Sequence, residues 1–498
     1  MRQDHATRRR HAPRPPQTAA ATRAPSVRAL AGRPLAILAA AALLVWPAFM
    51  NGYPILFIDT VSYLVHTITG QAPWDKTVAY GPFIALFHQE RTLWLPLIAQ
   101  GLLLSHLLWL TQRVACGEVT PARHLALAAG LAALTSAPWF AATLMPDFFT
   151  PVVVLCLFLL GFGETRLGRL EIAWTALLAA VGIATHLSHL PTALALVALM
   201  PLLRRSWRPL LRVAPPVAAA TLFLVGANWY AFGRATLSAH GSVFLLARLQ
   251  ADGPATWTLR ERCPASGGWY LCGFLDRLPM DSDRFLWDPD SPPSRDAAGN
   301  PRPWGFVTLA PEAREVVAAT LRDHPLAVAR AALGNAVEQL FKVRLGDTLE
   351  YPQLRIMHTW DIWDAFPPRE LSRFRAGAQA RGELERLAAP AAALQLPVLV
   401  LSLVLALAGC WRLACNGDTS RLGLLLCVLV GLAANAFTTG ALSKPHHRYQ
   451  ARIVWLLPLG AALAFRSVPV RRAAPYGRMP TLFVPPHASQ EVALRTSV

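Results

Sequence analysis

Apolar runs close to 20 residues long recur along this chain, and each is about enough to cross the ~30 Å hydrocarbon core of a bilayer as an α-helix. In lipid, backbone polar groups must be satisfied within their own element, so runs of this length point to helices as the spanning form. Composition points the same way. Charged residues make up 15% of the chain and hydrophobic residues 54%, whereas water-soluble domains are about a quarter charged. Mean hydropathy is +0.36. The runs predict about ten spanning helices, over 35–50, 93–110, 124–141, 148–163, 172–187, 190–203, 212–231, 392–413, 422–441 and 453–468. The expected class is an all-α polytopic membrane protein, with a mixed, mainly helical outer domain between the seventh and eighth spans.

The formal net charge of +18 would suggest nucleic acid in a soluble protein. Here the arginines sit in short segments beside apolar runs, the placement of charge that sets topology, so the expected partner is the bilayer and not nucleic acid. Residues 1–31 read as a disordered basic tail rather than a cleaved leader. With this tail in the cytoplasm and the spans alternating, most short basic segments fall inside: 111–123, 164–171, 204–211, 414–421 and the tail 469–498. Both termini are then cytoplasmic. Outside lie the first loop, 51–92, within the N-terminal bundle 32–231, and the domain 232–391, ahead of the C-terminal helices 392–468. Only three of the 47 basic residues are lysines (Lys76, Lys342 and Lys444), and with the Ala, Leu and Pro richness this suggests a bacterial chain of high-GC coding. The expected location is the bacterial cytoplasmic membrane, with the domain periplasmic or extracellular.

One outer segment breaks the charge rule. Residues 442–452 carry Lys444, His446, His447, Arg448 and Arg452. Such density beside Tyr449 suits phosphate, Arg by paired hydrogen bonds and Lys as a point charge. The bland account is headgroup anchoring. Two acids share that face. Asp59 follows Leu56-Phe57-Ile58 and opens a helix-like stretch, 60–69; Asp147 stands where the third span turns into the fourth. Each could be a helix N-cap, and an acid in an apolar boundary could equally serve as a general base. His186 and His189 form a possible metal pair lacking a third ligand. Cys263 and Cys272, close together in the polar segment, read as a local disulfide if that segment faces an oxidising compartment; two cysteines without adjacent histidines make a poor zinc set. Across 310–343 the apolar spacing of Val316, Val317, Leu321, Val328, Ala331, Leu333, Val337 and Leu340 is helical. The aromatic end of the domain, with Trp360, Trp363 and Phe366, suits helices on a membrane surface.

Taken together, Phe57-Ile58-Asp59-Thr60-Val61-Ser62-Tyr63, Tyr80-Gly81-Pro82-Phe83, Asp147 and His447-Arg448-Tyr449 resemble bacterial GT-C-type membrane glycosyltransferases, which include protein O-mannosyltransferases and lipid A aminoarabinose transferases. The resemblance covers about the first 150 residues and the last 60. It implies transfer of a sugar from a polyprenyl-phosphate donor to an acceptor glycan, lipid or protein on the outer face. Asp59 would be the general base and Asp147 a second catalytic acid. Lys444, His446, His447, Arg448 and Tyr449 would bind the lipid phosphate. No cofactor is called for, and a divalent metal is left open. The chain departs from the family where relatives carry paired acids in the first loop, since Asp59 has no acidic neighbour before Asp75, and where they place the large domain after the last span. Two readings from other classes stand beside this one. A transporter or lipid flippase would place polar residues at mid-depth in its spans. A non-catalytic assembly factor would keep Asp59 far from Arg448.

Overall fold

The computed structural model describes residues 27–466 apart from 267, 351–353 and 355–360. Trp360 and most of both basic tails lie outside the described residues, although residues 27–31 open the first helix. Among the described residues the fold is helical and contains no β-strand. The first apolar run forms α1 (Val27–Leu44) and α2 (Trp46–Asn51), and the loop after it forms α3 (Ile58–Thr69) and α4 (Tyr80–His88). The next runs form α5 (Trp94–Cys116), α6 (Pro121–Leu134), α7 (Ala137–Ala141), α8 (Phe149–Phe162), α9 (Arg169–Ala184), α10 (His189–Arg204) and α11 (Leu210–Phe232). The long polar segment holds α12 (Gly241–Ala251), α13 (Pro254–Ser266), α14 (Ser282–Trp287), α15 (Gly305–Asp323), α16 (Pro325–Phe341) and α17 (Pro368–Ala376). Then follow α18 (Leu384–Cys415), α19 (Thr419–Leu442), α20 (His447–Val454) and α21 (Leu456–Ala464).

Four of these helices, α5, α11, α18 and α19, are long and apolar enough to cross a membrane. Three apolar runs are interrupted instead, at Val45, at Thr135–Ser136 and at Trp455. Each break is followed by a proline: Pro47, Pro138 and Pro458. Proline has no N–H for the carbonyl four residues earlier but fits the first turn of a new helix, where all three stand. Those carbonyls belong to Leu43, Leu134 and Val454, at or next to the end of the preceding helix in every case.

Two separate cores form. The larger joins the apolar helices with the first loop and residues 345–384. The smaller lies within α12–α15, around Leu246, Leu271, Phe274, Phe285 and Val316, and the Cys263–Cys272 disulfide closes its edge. The apolar spacing across 310–343 does not make one helix. It splits at His324–Pro325. Val316 and Val317 enter the small core, whereas Leu333, Val337 and Leu340 stay exposed on α16. That helix lies along α19, closely enough that a Cβ on Gly440 would meet the Asn335 carbonyl oxygen at 2.5 Å.

Candidate functional site

Two polar clamps carry the first loop to the segment before α8, and two more tie it to the segment around α17. Ile55 bridges Thr143 in parallel, its N–H donating to Ala142 O (3.0 Å) and its carbonyl accepting from Leu144 N (2.9 Å). The Thr60 hydroxyl donates to Leu144 O at 2.8 Å. Buried Gln379 reaches over from beyond α17, its amide donating to Leu56 O and its carbonyl accepting from Leu56 N. Buried Glu370 adds a fourth tie, accepting from the Tyr53 hydroxyl, Thr92 and Leu93 N. Asp59 and Asp147, far apart in sequence, are thereby brought to one place.

Neither acid caps a helix. Phe57 holds the N-cap position of α3, and Asp59 lies inside the first turn. Its Oδ1 is 3.4 Å from Lys76 Nζ, and its Oδ2 is 3.4 Å from both terminal nitrogens of Arg448. These pairs are loose beside the ~2.7–2.9 Å of a tight charge-assisted hydrogen bond. Lys76 also pairs closely with Asp75. Burial opposes ionisation of Asp59, but Lys76 and Arg448 outweigh it and hold the carboxyl below its usual range. For Lys76, burial is likewise outweighed by Asp59 and Asp75, which keep the ammonium charged. The Arg448 guanidinium stacks over Phe57 and Tyr449.

Asp147 sits deeper. It pairs with Arg452 at 2.9 Å, and Arg452 also donates to Ser188 Oγ and Asn435 Oδ1. Side-chain exposure separates the two pairs: 25% for Asp59 and 14% for Arg448, against 1% for Asp147 and 0% for Arg452. Asp59 is thus partly open, whereas Asp147, the expected second catalytic acid, is enclosed with Arg452.

The basic segment 442–452 divides between partners. Lys444 Nζ lies 2.8 Å from Asp281 and 2.9 Å from Asp283, and His446 Nε2 lies 3.3 Å from Asp283. Burial opposes ionisation of Asp283, but His446 and Lys444 lower its pKa to about 2. His447 Nδ1 accepts from Arg344 N, and Asp347 accepts from Arg448 N. The side chains expected to bind one phosphate are therefore divided between two groups of acids. Arg448 faces Asp59 and lies over the Tyr449 ring, while Lys444 and His446 reach Asp281 and Asp283 at the start of α14. The reason is a pair of acids about 160 positions earlier in the chain, which linear reading of the segment did not connect to it.

Sequence reasoning also missed Lys76 and the Ser188–Asn435 cradle of Arg452. A signal for Lys76 existed: in a chain with three lysines, one stood beside Asp75 in the loop that carries Asp59. His186 lies within electrostatic reach of Asp59, Lys76, Arg448 and Arg452. His189 is taken up by Thr150 and the Gly182 carbonyl. Among the described residues no group of three side chains is placed to hold a metal. No protein-family description, curated protein or solved structure matches this chain.

Proposed function

We propose that the chain is a GT-C-type glycosyltransferase of the bacterial cytoplasmic membrane. It has about ten spans, both termini inside and residues 232–391 outside. It moves a sugar from a polyprenyl-phosphate donor to an acceptor on the outer face. The observation that carries this reading is one partly open carboxylate, Asp59, held loosely between two cations, with a buried Asp147–Arg452 pair behind it.

The acceptor oxygen bonds to the anomeric carbon while its proton passes to Asp59. The bond from that carbon to the phosphate oxygen breaks, and its electron pair leaves on the phosphate. Arg448 and Lys76 stabilise that charge, and a single displacement inverts the anomeric centre. The same cations hold the Asp59 pKa down, which makes it a weak base on its own. An arriving phosphate competes for Lys76 and Arg448 and relieves this depression, so donor binding strengthens the base. Asp147 acts as a positioning residue through Arg452, whose guanidinium also lies against the Tyr449 ring.

The test compares envelope glycans and lipid-linked sugars from cells with the gene, without it, and with Asp59→Asn. The expected result is the same missing glycan, with accumulated donor, in the last two. A glycan retained by Asp59→Asn removes Asp59 from the mechanism, and a null strain with unaltered glycans removes the transferase reading.

A further inference from the structure

A cavity of about 560 Å³ opens between the segment after α16 and the first turns of α18. Arg344, Arg386 and Glu385 stand at it, and Ala388, Ala389 and Ala392 give it a smooth apolar wall. Neither guanidinium enters an ion pair with a described residue, unlike Arg448 and Arg452. Two arginines and one carboxylate line it, with Glu350 and Asp347 of the same segment near Glu385, and small side chains leave room for an elongated group.

The level of this cavity follows from α18 itself. Trp411 is 76% exposed near the far end of that helix, where exposed tryptophans mark a membrane–water boundary. About 20 residues, or ~30 Å of helix, separate one boundary from the other, which puts the opposite boundary near Pro390–Ala392. On α11, exposed Trp207 just before the helix and exposed Trp229 near its end give the same separation. The cavity is thus at headgroup height. Below it α18 turns Leu394, Val400, Leu401 and Val404 outward.

We propose that this cavity binds the phosphate of a lipid phosphomonoester, with Arg344 and Arg386 on the phosphate and the hydrocarbon tail along the exposed face of α18. Arginine pairs suit phosphate oxygens, and an apolar wall continuous with a lipid-facing helix selects a tailed ligand over the free ion. The proposal does not depend on sugar transfer: a transporter or scaffold could hold the same lipid. The cavity is nevertheless linked to the Asp59 cluster, because the segment that carries Arg344 also carries Asp347, the acceptor for Arg448 N.

The experiment titrates the purified full-length protein, in neutral detergent, with dioleoyl phosphatidic acid, and uses dioleoyl phosphatidylcholine and inorganic phosphate as comparisons. The variants are Arg344→Ala/Arg386→Ala, which removes the charge, and Ala392→Trp, which fills the space. Arg412→Ala removes a charge at the other end of α18. Phosphatidic acid is expected to bind, with affinity reduced about tenfold or more, roughly 1.4 kcal/mol or above, in the first two variants and unchanged in Arg412→Ala. Affinity unchanged in both cavity variants, or lowered equally by Arg412→Ala, overturns the site. Inorganic phosphate competing as well as the lipid overturns the lipid assignment. Unaltered glycans in cells lacking the gene, with phosphatidic acid binding intact in the purified protein, count only against the transferase reading.

Discussion

The Asp147–Arg452 pair is the most enclosed charge pair of the cluster, and its removal separates structure from chemistry. Arg452→Met leaves Asp147 buried without its cation and strips Ser188 and Asn435 of a donor. Breaking such a pair from one side costs about 3–5 kcal/mol. The expected result is a large fall in the thermal midpoint of the detergent-purified protein, with part of it recovered in Asp147→Leu/Arg452→Met, where no lone charge remains. A single variant as stable as the parent removes the pair from the structural frame. Asp59→Asn acts on a looser and more exposed pair, so the same measurement should show a much smaller shift. At this scale the sequence made Asp59, Asp147 and Arg448 stand out, because an acid in apolar surroundings and a basic cluster on the outer side both need a reason. It did not show who pairs with whom. Lys76 meets Asp59 only because the first loop folds back, and Lys444 meets Asp283 only because a separate unit docks there.

Helix placement was largely legible from apolar run length, and helix ends were not. The breaks at Val45, Thr135–Ser136 and Trp455 depend on prolines that a hydropathy window averages away. The packing of α16 on α19 was invisible for another reason: it depends on Gly440, a residue that matters by what it lacks. Gly440→Leu places side-chain atoms where the Asn335 carbonyl lies. Overpacking of this kind costs about 1–3 kcal/mol, and here the strain falls on the contact between the two helices. Proteolysis should cut the His324 region faster in this variant, and an unchanged rate argues against the close approach. The contact of α14 with the basic segment is pH-dependent with a defined sign. The Asp283 pKa falls from 3.8 to about 2, so its contribution is present in full above pH 3.8 and is lost as pH falls through about 2. Proteolytic release of the α12–α15 unit should therefore rise only below about pH 4, and Asp283→Asn should release it at neutral pH. Release in the native chain already at pH 6 assigns the docking to other groups.

For the whole molecule, the long helices and the cysteines make independent statements about sidedness. The α12–α17 segment is bounded by α11 and α18, both of crossing length, so the far ends of these two helices share one side of the membrane. The start of α11 follows Arg204, Arg205 and Arg208, and the turn from α18 to α19 is flanked by Arg412 in the last turn of α18 and Arg421 in the first turn of α19. The positive-inside tendency is what puts that side in the cytoplasm in the function proposed above. The cysteines lead to the same side by chemistry. Cys263 and Cys272 are joined within the small-core unit, whereas Cys415, exposed at the end of α18, is free, and disulfides persist mainly in oxidising compartments. The test begins from a background with Cys116, Cys156, Cys410, Cys415 and Cys427 replaced. A single cysteine at Asn300 should react with a membrane-impermeant maleimide on spheroplasts, while one at Ser206 or Asn416 should react only after permeabilisation. Reaction at Ser206 without permeabilisation turns the molecule over. The Asp59 cluster would then face the cytoplasm, and an outer-face transferase could not be built on it, however well its residues converge.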